Sequence, residues 1–241
     1  MDRKLASNCS REFVWLLAGL VVASILATGL LAIRIVWSRE LTHAFLVWNL
    51  FLAWMPLFFS LLAFGYRECR WKFLGFSALW LLFLPNAPYL VTDLVHLRVR
   101  PPVPLWFDMV LLQSFIWLGL LLGFISLYKM QWIVRQRFGI KASWVFVAIV
   151  VILTGFGIYL GRVQRWNSWD IVTNPVALFI DIFRHFTPPY IRLAASFTIL
   201  YGAFFFVAYL MFYGLTHLRF AFVHAGPGSA YDPQSGAAAA R

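Results

Sequence analysis

Asp93 and His96 stand three residues apart in the stretch LPNAPYLVTDLVHL (84–97) and form a candidate acid–base pair. On a helix Tyr89, Asp93 and His96 are spaced four and three apart, which places a phenol, a carboxylate and an imidazole on one face. The two prolines of this stretch restrict its backbone. Pro85 lacks an amide hydrogen and clashes with the preceding turn, and Pro88 repeats the problem, so a continuous helix through Leu84 to Tyr89 is disfavoured. Asn86 is a good N-cap and Pro88 is tolerated in a first turn, so a second short helix is expected to begin there. The free amides of such a helix start would favour an anionic group. The plainer reading is a proline kink packed against neighbouring helices, with Asp93 and His96 hydrogen-bonded structurally.

A second polar stretch, GRVQRWNSWD (161–170), sets Arg162 and Arg165 beside Asn167, Asp170 and two tryptophans. Guanidinium groups of this kind hold carboxylate or phosphate, and tryptophan favours the headgroup level, so the stretch reads either as the rim of a pocket or as an interfacial anchor. The substrate-binding candidates are Asn86, Tyr89, Arg162, Arg165, Asn167 and Asp170. Asp181 and His185, four apart, could be metal ligands or an acid and base, although a surface contact explains a lone pair equally well. The chain has no Walker motif, HExxH, paired CxxC or GxSxG, so no cofactor is expected.

The elements that must carry these residues can be derived from composition. The 241 residues are 62% hydrophobic, 19% aromatic and 12% charged, far more apolar than a soluble domain, and their long apolar runs would have nothing but lipid to pack against. A net charge of +11 resembles a nucleic-acid footprint, yet cytoplasmic loops of multispanning proteins are basic too, and no nucleic-acid partner is expected. The fold class is all-α, a polytopic transmembrane helical bundle. Its expected spans are 13–33, 41–66, 73–94, 105–128, 142–160 and 193–215, the third broken by its prolines. Residues 171–183 would make only about 20 Å of helix and read as re-entrant or interfacial.

Six crossings put both termini on one side. With the N-terminus inside, the inner segments hold Arg3, Lys4, Arg11, Arg67, Arg70, Lys72, Lys129, Arg135, Arg137, Lys141, Arg219 and Arg241, which include every lysine of the chain. The basic bias therefore puts both termini in the cytoplasm of a multi-pass cell-membrane protein. Residues 1–12 form a cytoplasmic N-terminus, 13–215 the membrane domain, and 216–241 a cytoplasmic, largely disordered tail. The first apolar run is too long for a signal-peptide core, and Cys9 and Cys69, both on the inner side, are not expected to pair. Asp93, Asp108, Asp170, Asp181 and Glu40 gather at the opposite side with Arg34, His43, His96 and His185, and polar groups near a bilayer tend to mark function.

At LPNAPYLVTDLVHL and GRVQRWNSWD the chain resembles a family of bacterial integral-membrane proteins catalogued as domain of unknown function 1361, over roughly residues 41–215. The resemblance implies the same architecture and draws attention to these positions; it implies no reaction, ligand or catalytic residue. Three functions stay open. One is an enzyme or binding protein taking an anionic, amphipathic, lipid-linked substrate at the outer face, with Arg162 and Arg165 on the anion and Asp93 with His96 for proton transfer. The others are a small permease and an assembly partner that docks another membrane protein.

Overall fold

The computed structural model describes residues 3–224 except Phe186 and Pro189, with side chains in 11–217. Among the described residues there are helices and no strands. α1 (Arg3–Ser38), α2 (Phe45–Gly65) and α3 (Arg70–Phe83) are followed by the short α4 (Asn86–Tyr89) and a 3-10 helix, Leu90–His96. α5 (Leu105–Arg162), α6 (Asp170–Thr173), α7 (Pro175–His185) and α8 (Tyr190–His224) complete the order. Five helical stretches are long and apolar enough to cross a bilayer: 11–38, 45–65, 70–96, 105–162 and 190–217. The turn-rich tail after Gly226 lies outside the described residues.

Large apolar side chains point outward along these helices, among them Val22 and Ile25 on α1, Phe51 and Phe58 on α2, Ile149 and Ile152 on α5, and Ile199 and Met211 on α8. A soluble protein could not leave so many uncovered, and lipid is the solvent that suits them. The chain is a multi-pass membrane protein. α5 is the hub, packing against α1, α2, α4 and α8. Leu111, Leu112 and Phe115 from α5 meet Leu46 and Leu57 from α2, Leu84 and Leu90 beside the prolines, and Phe205 from α8 in one core.

Inside α5, Gly139 has φ 83° and ψ 176°, which no helical residue adopts, so the 58-residue stretch consists of two helices joined there. Glycine enters this region without the clash a Cβ would bring. The upper half of α5 then runs to Arg162 and brings Gly157 against the proline segment. A Cβ on Gly157 would lie 2.5 Å from Pro85 Cγ and 2.8 Å from Pro85 Cβ. Helices in lipid associate through close packing at small residues, and the proline ring cannot rotate away. Gly157→Ala should therefore push α4 off α5 and destabilise the protein by about 1–3 kcal/mol, read from thermal unfolding in detergent. A variant with native unfolding temperature would mean that this contact is not tight.

The proline segment departs from expectation. Leu84 and Pro85 keep right-handed dihedrals, the Leu84 amide bonds to Trp80 O at 2.9 Å, and Leu84 O and Pro85 O accept the Ala87 and Tyr89 amides at 3.1 and 3.0 Å. Asn86 does not cap a new helix. Its side-chain amide donates backward to Phe83 O at 2.9 Å and forward to Ser168 Oγ at 2.9 Å, so it closes the preceding turn. Beyond it the chain makes one α-turn and then the tighter 3-10 spiral, too short to present an N-terminal anion site.

α7 is 11 residues long, roughly 17 Å of helix. Val176, Phe179, Ile180 and Phe183 form an exposed apolar stripe on it, while Leu178 and His185 are buried. That pattern makes α7 amphipathic.

Candidate functional site

The two polar stretches meet. Arg162, at the end of α5, places Nη1 3.3 Å from Asp93 Oδ1 and 3.5 Å from the Tyr89 hydroxyl, and donates through Nη2 to Thr92 O at 3.0 Å. Asn49, from α2, donates to the other carboxylate oxygen of Asp93 at 2.9 Å. Asp93 is 1% exposed and Arg162 20%, so the acid is buried beneath a guanidinium that still reaches the surface. With both oxygens engaged, the carboxylate is held as an acceptor and fixes Arg162 in place. His96 continues the cluster outward. Its Nδ1 is 3.3 Å from Asp93 O, and its ring packs on Phe45 with centroids 4.8 Å apart.

Beside this network is a cleft of about 160 Å³. Asn49, Asn86, Tyr89, Asn167 and Ser168 contribute polar groups to its wall, and Trp48, Trp166, Leu52, Ile171 and Leu178 apolar ones. Arg162, Asp93 and His96 are not on its wall; Asn49, Tyr89 and Gly161 connect it to them. The loop after α5 is tied down by Ser168, which donates to Leu82 O at 3.2 Å while accepting from Asn86, and Trp169 stands against Trp48 at 5.8 Å.

Arg165 does not join Arg162. It is exposed, with no ion pair or side-chain hydrogen bond among the described residues, and its φ of 62° lies in the left-handed region. The Trp166 amide reaches back six residues to Leu160 O at 3.1 Å. Arg165, two residues beyond the Val163 C-cap of α5, thus adopts the left-handed conformation that glycine enters most readily. Arg165 is left exposed, and Trp166, next in the chain, lines the cleft. Asn167 and Asp170 pair with each other: Asp170 Oδ2 accepts the Asn167 amide at 2.6 Å, and its Oδ1 accepts the Thr173 hydroxyl at 3.2 Å.

Asp181 accepts the Trp166 indole N–H at 2.7 Å, and His185 bonds through Nδ1 to Asp181 O at 2.6 Å between the rings of Tyr159 and Tyr190. This pair anchors α7 to the loop. Among the described residues no group of three or more histidine, cysteine, aspartate or glutamate side chains gathers as a metal site.

Three features are not expected from the sequence. Asn49 is one, and its signal is a polar amide in the middle of an apolar span. The second is the pairing of Arg34 with Asp108, which the sequence places only at span ends. Arg34 Nε lies 2.8 Å from Asp108 Oδ1 with both side chains fully buried. The third is His43, in the turn ahead of α2. It is buried, neither ring nitrogen has a hydrogen-bond partner among the described residues, and burial reinforced by the Arg34 charge pushes its pKa down to about 4.

Long apolar helices whose large side chains face outward define a polytopic helical membrane protein. The family described as "Protein of unknown function (DUF1361)" matches residues 48–213, and the chain belongs to it. The match spans both polar stretches and the cleft between them. No curated protein and no solved structure matches the chain.

Proposed function

We propose that the cleft binds an anionic, amphipathic, lipid-linked substrate at the extracytoplasmic face of the membrane. The observation that carries this reading is the mixed lining: three asparagines, a serine and a tyrosine together with two tryptophans and five aliphatic side chains. A ligand with a polar head and an apolar tail satisfies both kinds of side chain, whereas a wholly polar or wholly apolar one would leave one kind unmatched. Arg162, joined to the cleft through Tyr89 and Gly161, supplies the positive charge for its anion, and the exposed Arg165 three residues on adds to the local positive potential. α7, with its exposed stripe of Val176, Phe179, Ile180 and Phe183, would lie in the headgroup layer, where such a substrate arrives. Asp93 acts here as the residue that positions Arg162, and His96, on the outward side of the pair, remains the candidate for proton transfer.

The test uses lipids retained by the protein through purification and identified by mass spectrometry. Ile171→Trp should fill the cleft mouth without touching the polar network, and Arg165→Gly removes a charge while favouring the left-handed turn. Both variants should keep or exceed native thermal stability and lose the retained anionic lipid-linked species. Unchanged retention in Ile171→Trp would overturn the proposal.

We propose with it a topology of six crossings. A helix of 58 residues would be about 87 Å long, nearly three times the hydrocarbon core, so the two halves of α5 on either side of Gly139 each cross. With the stretch 70–96 as an interrupted third crossing, six result, and the basic bias places both termini in the cytoplasm. Reporter fusions after Arg67, Lys129 and His224 should read as cytoplasmic, and those after Arg100 and Asn167 as exterior. An exterior signal at His224 would mean seven crossings, with residues 171–183 spanning.

A further inference from the structure

At the far end of the same helices from the Asp93–Arg162 pair, the turn between α2 and α3 faces the lower half of α5 across a groove of about 370 Å³. Arg67, Arg70 and Arg137 line it, with Glu68 the single acid on its wall. Arg137 donates to Arg67 O at 2.6 Å and lies over the Phe73 ring at 5.0 Å, which pins the turn to α5. Glu68 is 89% exposed and sits 3.4 Å from Arg67 Nε, a solvated contact that neutralises little of the local charge. Arg70 makes no hydrogen bond or ion pair among the described residues; its guanidinium lies 6.0 Å from the Trp71 ring. Below the arginines the groove is apolar, through Phe73, Leu74, Ile133, Val134 and Phe138. Of these, Leu74 and Phe138 are exposed, and Trp71 stands uncovered at the rim.

We infer that this groove is a binding site for an anionic glycerophospholipid, its phosphodiester held by Arg67 and Arg70 and its acyl chains laid along Leu74, Ile133 and Phe138. Charge complementarity selects the headgroup: three guanidinium groups face one screened carboxylate, in a place where a neutral lipid would leave the arginines without anionic partners. The apolar floor selects a lipid over a free anion, because phosphate alone would leave Leu74 and Phe138 against water or unrelated chains. The groove differs from the cleft beside Asn86 in position, lining and charge, so the two can be emptied separately.

The experiment uses the full chain in detergent, with native mass spectrometry counting bound lipid after addition of phosphatidylglycerol or phosphatidylcholine. Phosphatidylglycerol should be retained in preference, and Arg67→Gln/Arg70→Gln should weaken it by about tenfold or more, given the contribution of each basic residue near an anionic surface. Retention of phosphatidylcholine should not change. Ile171→Trp, at the other end of the bundle, should leave phosphatidylglycerol binding intact. Inorganic phosphate at the same concentration should not displace the lipid; displacement would overturn the acyl contribution and identify a plain anion site. The native chain gives an independent reading that needs no variant: raising the salt concentration should release phosphatidylglycerol and spare phosphatidylcholine. Equal retention of the two lipids at low salt, or native retention by the double variant, would overturn the inference.

Discussion

Asp108→Ala should lower the stability of the protein by about 3–5 kcal/mol, because it strands the Arg34 guanidinium in a fully buried position. Arg34 Nε and Nη2 donate to the two oxygens of Asp108 at 2.8 and 3.3 Å, and its Nη1 reaches only Ser38 Oγ, at 3.4 Å. Without the carboxylate the charge has no nearby compensation, and the unpaired His43 ring beside it would feel the cation more strongly. Arg34→Met/Asp108→Leu should recover most of the loss, since replacing both members of a buried pair by apolar side chains of similar volume is close to neutral. Unfolding followed by tryptophan fluorescence in detergent measures both variants. A double variant as unstable as the single one would mean that the pair does more than tie α1 to α5, and a single variant of native stability would mean that it is hydrated.

The second large effect separates the two members of the Asp93–Arg162 pair. If Arg162 is held by Asp93 and lent to an anion, Arg162→Gln should abolish retention of the anionic ligand, whereas Asp93→Asn should increase it. The reason is competition: the carboxylate 3.3 Å from Nη1 occupies the guanidinium that the ligand needs. An asparagine keeps the shape and the acceptor while removing the charge. Releasing one charge-assisted hydrogen bond corresponds to about tenfold in affinity or more. Arg162→Gln also leaves a buried carboxylate with only Asn49 as donor, so its thermal stability should fall, while that of Asp93→Asn should fall less because Asn49 can turn its carbonyl toward the new amide. Loss of ligand in both variants would point instead to the pair as an intact catalytic or structural unit, and unchanged ligand in both would remove Arg162 from the site.

Much of the architecture was legible in one dimension. Lipid requires every spanning backbone to satisfy itself, so apolar runs of about 20 residues dictate helices whatever they pack against. The shortness of the segment at 171–183 was legible too, and the structure makes it α6 and the amphipathic α7. The choice of 84–97 and 161–170 as the places to look also came from sequence, because polar side chains beside apolar spans are costly to keep. The expected capping role of Asn86 did not hold. Capping preference is a local statistic, and Ser168, 82 residues away, supplied an acceptor that local reasoning could not include.

Sequence by itself determined that this is an all-helical, multi-pass membrane protein with its unusual polar residues in two stretches. The partners within those stretches were decided by the tertiary structure alone. Arg162 and Arg165 look equivalent in the string GRVQRWNSWD, but Arg165 lies beyond the end of α5 in a left-handed conformation and only Arg162 faces Asp93. Asp93 drew Asn49 from another helix, and Asp108 drew Arg34 across a separation of 74 residues. Helix formation depends on neighbours three and four residues apart, which the sequence supplies in order. The pairing of buried charges depends on which helix faces which, and that is set by the close fit of surfaces such as Gly157 against Pro85 after the helices have formed.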